Sequence, residues 1–205
     1  QARQYCTVFL NISKEESMTA FTTEKIDVEP WFDMELFMGV SQETRLGGDV
    51  MDRFMTLWKN WLPHLTVKGI DTGKIKYLLV ALDESVEQDV DKAWESSPSN
   101  AFLYNALAQT MCMAAVHAVI PEVQDAGCAP APKPTATLRE ALEAEGIPYS
   151  NDKDPILSRR YAVVTHYPFK GGCEICVLQS NCPKGQGQME ATSVVLPGYE
   201  HPQQM

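Results

Sequence analysis

Apolar residues recur at helical spacing along much of this chain, and that spacing carries most of its structural signal. From Asp49 onward, Val50, Phe54, Trp58, Trp61, Leu62 and Leu65 fall on one face of a 3.6-residue period. Asp49 suits the cap of that helix, because its carboxylate can accept from an exposed backbone N–H, and Pro63 should stop or bend it. A second face runs through Ile75, Leu78, Leu79, Leu82, Val86, Val90 and Ala93. Residues 75–82 alone would suit a buried strand equally well, but the length of the whole run favours helix.

Ser99 is placed to cap a third helix lined by Leu103, Leu107, Met111, Ala114 and Ala118. Its unbroken apolar stretch, residues 111–116, predicts burial on more than one face and a central position. Pro121 ends it, and residues 127–134 form a connector rich in Pro and Ala. A short fourth helix has the capping-box pair Thr137 and Glu140 at its start, Gly146 as a left-handed stop and Pro148 beyond. Strands are expected at 5–12, 161–167 and 192–196, and a short helix around 31–38. Together these predict a mainly α (α+β) fold, a helical body with a few short strands. Residues 1–205 read as one domain, with a helical core at 49–146 and a strand plus metal-binding loop at 161–183.

Composition narrows the function more than the fold. With 205 residues, 44% hydrophobic and 21% charged, the chain can bury a real core without disulfides. A net charge of −10 and the absence of any basic stripe argue against nucleic acid as a partner, since phosphate recognition needs clustered Lys and Arg. No apolar run predicts a transmembrane segment, and no charged start followed by an apolar stretch marks a secretory signal. The expected location is therefore cytoplasmic, although the chain opens on Gln1 and not Met, which leaves removal of a leader open. No nucleophile elbow, phosphate-binding Gly loop, H-E-x-x-H or dinucleotide fingerprint is present. Trp58 and Trp61 read as core anchors, His117 as a core or boundary residue and His64 as a surface one. The acids Asp83, Glu84, Glu87, Asp89 and Asp91 read as the solvated face of a helix.

The chemistry lies in the cysteines. Three of the six, Cys173, Cys176 and Cys182, occupy ten positions in the pattern C-x2-C-x5-C-P, closed by Pro183. Two thiolates separated by two residues can turn toward one centre through a tight bend, and five more residues allow a third sulfur to return. Three converging thiolates are costly to bury without a cation, which a bound metal supplies. Zinc and iron–sulfur clusters both accept four Cys ligands. Zinc ribbons and fingers usually show two short Cys or Cys/His pairs, and no second pair exists here. Pro after the last Cys also occurs in ferredoxin runs, and Ile175, Val177 and Leu178 could shield a cluster from water.

This run resembles the C-terminal cluster loop of endonuclease III-type DNA glycosylases and of RecB-family nucleases that carry an iron–sulfur domain. The resemblance covers about a dozen residues and implies a four-iron four-sulfur (4Fe–4S) cluster. The rest of the chain departs from both families. The glycosylase pattern has a further Cys seven positions before the second, where this chain has His166, and the Gly-rich hairpin with its catalytic Lys has no counterpart. No lysine has Asp or Glu two positions before it, as a RecB-type nuclease site requires.

Cys128, in a loop where its side chain can turn inward, is the favoured fourth ligand. Cys6, distant in sequence, and His166, just ahead of the loop, are the alternatives, while Cys112 fits a small core residue. The expected function is an iron–sulfur protein that passes electrons within an oxidoreductase complex or serves it as an accessory subunit, with a protein as partner. The alternative is a zinc-stabilised interaction module without redox activity. An enzyme acting at an open cluster site becomes the better reading only if no fourth protein ligand exists.

Overall fold

The continuous apolar segment Tyr77 to Leu82 is a strand, and it is the middle of the molecule. The computed structural model describes residues 20–151 and 155–182. The strands expected at 5–12 and 192–196, with Cys6, lie outside these residues.

Four strands form one antiparallel sheet in the order β1-β2-β3-β4: β1 Thr22–Lys25, β2 Leu65–Asp71, β3 Lys76–Leu82 and β4 Ala162–His166. Every residue of β3 from Tyr77 to Leu82 is buried, because helices cover both sides of the sheet. Under those conditions a strand loses the apolar–polar alternation that a half-exposed one shows. The helix expected through residues 75–93 is therefore two elements. β3 ends at Leu82, and α3, Glu84–Ser96, begins after Asp83, whose side chain accepts from Ser85 N–H at 2.9 Å. β2 falls within the expected helical core at 49–146, where no strand besides 75–82 was considered. It pairs with β3 through a turn in which Asp71 Oδ1 accepts from Gly73 N–H at 2.8 Å, with Gly73 at a φ of +75°.

The remaining helices are α1 Met34–Ser41, α2 Gly48–Trp61, α4 Pro98–Val119, α5 Glu122–Ala126 and α6 Ala136–Ala144. The phases of α2 and α4 match the expected apolar faces, but α5 was not expected, α1 begins at Met34 and not near 31, and three further starts are shifted. The N-cap of α2 is Gly47, and Asp49 lies inside the first turn, where a carboxylate favours the positive end of the helix dipole. Ser97 caps α4 from ahead of Pro98, in place of Ser99, and its hydroxyl accepts from Asn100 N–H at 3.4 Å. Thr135 caps α6, in place of the Thr137–Glu140 pair, and accepts from Leu138 N–H at 3.2 Å. Gly146 ends that helix as expected, at a φ of +72°.

One side of the sheet, with Val67, Leu78, Val80 and Leu82, packs on α1 to α5 around Phe37, Phe54, Trp58, Trp61, Leu107 and Met111. The other, with Ile70, Tyr77, Leu79 and Val164, packs on α6 and on Ile147 and Tyr149. The fold is thus mainly helical with a small sheet between a large helical layer and a small one. By length and composition α4 suits a membrane span only marginally, and half of its most apolar window is buried in the protein, so among the described residues no helix is a clear transmembrane segment, as expected. Residues of the acidic face of α3 do more than meet solvent. Arg160 binds Asp91 through two hydrogen bonds at 2.7 and 3.2 Å, and its backbone N–H reaches Glu87 at 2.9 Å, which fixes the entry to β4.

Candidate metal centre

After β4 the chain makes two short 3₁₀ turns, Cys173–Ile175 and Gln179–Asn181. The first spans the C-x2-C spacing: Cys176 N–H donates to Cys173 C=O at 3.1 Å. The second lies within the x5 spacing, which begins with Gln179 N–H on Cys176 C=O at 3.1 Å and closes with Cys182 N–H on Gln179 C=O at 3.3 Å. Each expected bend is therefore present. Gly171, with a φ of +144°, opens the loop, and a Cβ at that position would collide with the Glu174 carboxylate. Hydrogen bonds from Glu174's own N–H and from Gly172 N–H hold that carboxyl below its ordinary pKa.

The loop is docked on the 127–134 connector. Val177 N–H donates to Ala131 C=O at 3.0 Å, and the neighbouring Pro130 C=O accepts from the buried Thr165 hydroxyl at 2.9 Å. Cys128 lies just upstream, after Gly127 ends α5 in the left-handed conformation at a φ of 71°. Two segments carrying Cys173, Cys176, Cys182 and Cys128 are thus held side by side, and all four thiols are half-buried and outside any disulfide.

Among the described residues, no three His, Cys, Asp or Glu side chains are grouped so as to hold a metal ion. Ligation by the trio would require the thiols to draw together from their positions on the two 3₁₀ turns. Such tightening is ordinary for metal binding, which is coupled to local folding. A single zinc ion demands sulfurs about 2.3 Å from one point, whereas a cluster spreads its ligands over separate iron atoms and asks less convergence of them. Four thiols match what a cluster takes in donor type and number, but the described residues do not bring three of them together.

His166 sits at the end of β4 with its ring against Tyr77, 5.4 Å between centroids, and its Nδ1 is buried without a hydrogen-bond partner among the described residues. Strand alternation places it on the α6 side of the sheet, opposite Thr165, which reaches the connector. Burial, with the Lys170 charge as a lesser cause, holds its pKa below the usual histidine value. Cys112 is a core residue as expected: it is 2% exposed, its Sγ lies 3.5 Å from Tyr161 C=O, and burial pushes the thiol up to about 12. Val177 and Leu178, expected to shield a cluster, are instead exposed, each by 40%.

A grouping the sequence reading did not single out is His64, Asp83 and Ser85. Asp83 Oδ2 lies 2.6 Å and Ser85 Oγ 3.2 Å from the same nitrogen, His64 Nδ1. A nucleophilic triad needs the serine on one ring nitrogen and the acid on the other, so this arrangement ties the start of α3 to the turn after α2 and does not activate a hydroxyl. No family model, curated protein or solved structure matches the chain.

Proposed function

We propose that this chain is an iron–sulfur protein that carries a 4Fe–4S cluster on Cys173, Cys176, Cys182 and Cys128 and works in electron transfer, or as an accessory subunit, within an oxidoreductase complex. The observation that carries the reading is the Val177 N–H to Ala131 C=O hydrogen bond at 3.0 Å. It joins the three-cysteine loop to the one other segment among the described residues that presents a half-buried thiol. When bound, the cluster supplies storage of one electron at a potential set by burial and by hydrogen bonds to its sulfurs. The chain's own part is to fix four thiolates in two short segments on a rigid helical body. Val177 and Leu178, both exposed beside the cysteines, fit an apolar contact with the protein partner. A reducing compartment such as the cytoplasm keeps the thiols available.

The test is a set of single variants, Cys128→Ala, Cys6→Ala and His166→Ala, made and purified anaerobically. Cys128→Ala should lower iron retention and alter the electron paramagnetic resonance of the reduced protein, while the other two leave both unchanged. Full retention with an unchanged spectrum in Cys128→Ala would overturn the assignment of the fourth ligand. Equal iron content in Cys176→Ala and the unaltered chain would overturn the cluster reading itself.

A further inference from the structure

Trp31 is the most exposed of the four tryptophans, at 71%, although the backbone on both sides of it is anchored. Pro30 is buried, and its carbonyl accepts from the Trp58 indole N–H at 3.2 Å. The Phe32 ring packs edge-on against Trp58 at 5.4 Å and against Phe37 at 5.8 Å. Asp33 caps α1 through Oδ1, which accepts from Leu36 N–H at 3.1 Å. An indole held outward by three fixed neighbours forgoes the burial that a large aromatic side chain gains in a core. It stands instead at the mouth of a cleft of about 90 Å³, lined besides by Asp33, Ala114, His117, Ala118 and Gln124. Ala114 and Ala118, one turn apart on α4, keep that notch open.

The chemistry of the cleft favours one kind of occupant. Trp offers the strongest ring face for a cation, and the Asp33 cap leaves Oδ2 for a ligand. Burial holds the His117 pKa below its ordinary value against the opposing pull of Asp33, so the imidazole is uncharged at neutral pH and does not repel a cation. A net charge of −10 draws cations to the surface as a whole. The cleft is open and has room for a small headgroup.

We propose that this cleft binds an organic cation of the ammonium or guanidinium type, held against the face of Trp31 and the carboxylate of Asp33, either as a free amine or as the end of a Lys or Arg side chain. The cleft is built from Trp31 and Asp33 ahead of α1 and from α4 and α5, and uses none of the cysteine ligands, so the inference goes beyond the cluster reading and does not depend on it.

The experiment titrates the full chain with butylammonium and butylguanidinium, and with 1-butanol as the neutral match, while following the Trp31 indole N–H resonance. That resonance is assigned by its loss in Trp31→Phe. Both cations should shift it saturably in the millimolar range and butanol should not. Asp33→Asn keeps the helix cap, since Asn caps as well as Asp, and should weaken binding about tenfold; Trp31→Ala, which lacks the reporter and is read by saturation transfer from protein to the butyl protons of the cation, should weaken it as much. Tighter binding of Nα-acetyl-lysine amide or Nα-acetyl-arginine amide than of the alkyl cations supports the proposal with a protein side chain as source. The reverse order supports it with a free amine. An equal response to butanol, an unchanged affinity in Asp33→Asn of intact helicity, or no saturable shift with either cation would overturn it.

Discussion

Tyr149 and His166 each bury a polar atom with no hydrogen-bond partner among the described residues, on the same side of the sheet as Tyr77. A buried hydroxyl without a partner loses its water and gains nothing in exchange. Replacing Tyr149 with Phe keeps the ring under the Arg139 guanidinium, 5.1 Å from its centroid, and removes the stranded oxygen. The variant should be as stable as the unaltered chain or more stable by up to about 1 kcal/mol, read as a raised urea midpoint with an unchanged slope. A clear loss of stability would mean that the hydroxyl has a partner. His117 makes a different prediction. Burial lowers its folded pKa below the unfolded value, so between the two the unfolded chain binds more protons. Its contribution to stability is complete above the unfolded pKa, about 6.5, and is lost as pH falls through the folded one. Urea midpoints at pH 7.5 and 5.0 should therefore differ less in His117→Gln than in the unaltered chain, and an equal difference would show that His117 has no part in the acid sensitivity.

At the scale of elements, legibility followed burial. The helices α2, α4 and α6 have one covered face or a long apolar span, and their periodicity was readable; their caps were misplaced by two residues at most because Ser, Thr and Asp cluster near each start. β3 was merged into a helix because both its sides are covered and a continuous apolar run has no period of two. β2 was overlooked because Lys68 and Gly69 interrupt its apolar positions. The half-buried Lys68 is explained only by the fold, which brings Glu145 from the end of α6 to pair with it. Asp71-Thr-Gly-Lys74 was the missed signal, since Asp and Gly between two apolar runs mark a hairpin. With its positive φ, Gly73→Ala should destabilise the protein by about 1 kcal/mol, seen as a lowered urea midpoint. An unchanged midpoint would show that the turn relaxes freely. The x2 and x5 bends of the cysteine loop were legible because local spacing determines them. Its docking partner was not, because the Val177 to Ala131 hydrogen bond joins backbone groups far apart in sequence.

At the scale of the whole molecule, a body of sheet and helices carries a short docked loop among the described residues. The sheet and six helices hold the connector through Thr165 and Pro130, and the connector holds the loop through Ala131. Metal loading should then change the loop and leave the helical body as it is. Far-ultraviolet circular dichroism of anaerobic protein before and after chelation should show little change, and extensive loss of helix would contradict that division. The most direct test of the account is elemental: iron, acid-labile sulfide and zinc measured in the full chain purified without oxygen or chelator. About four iron and four sulfide per chain is the predicted result; zinc in place of iron, or no metal at all, would contradict it.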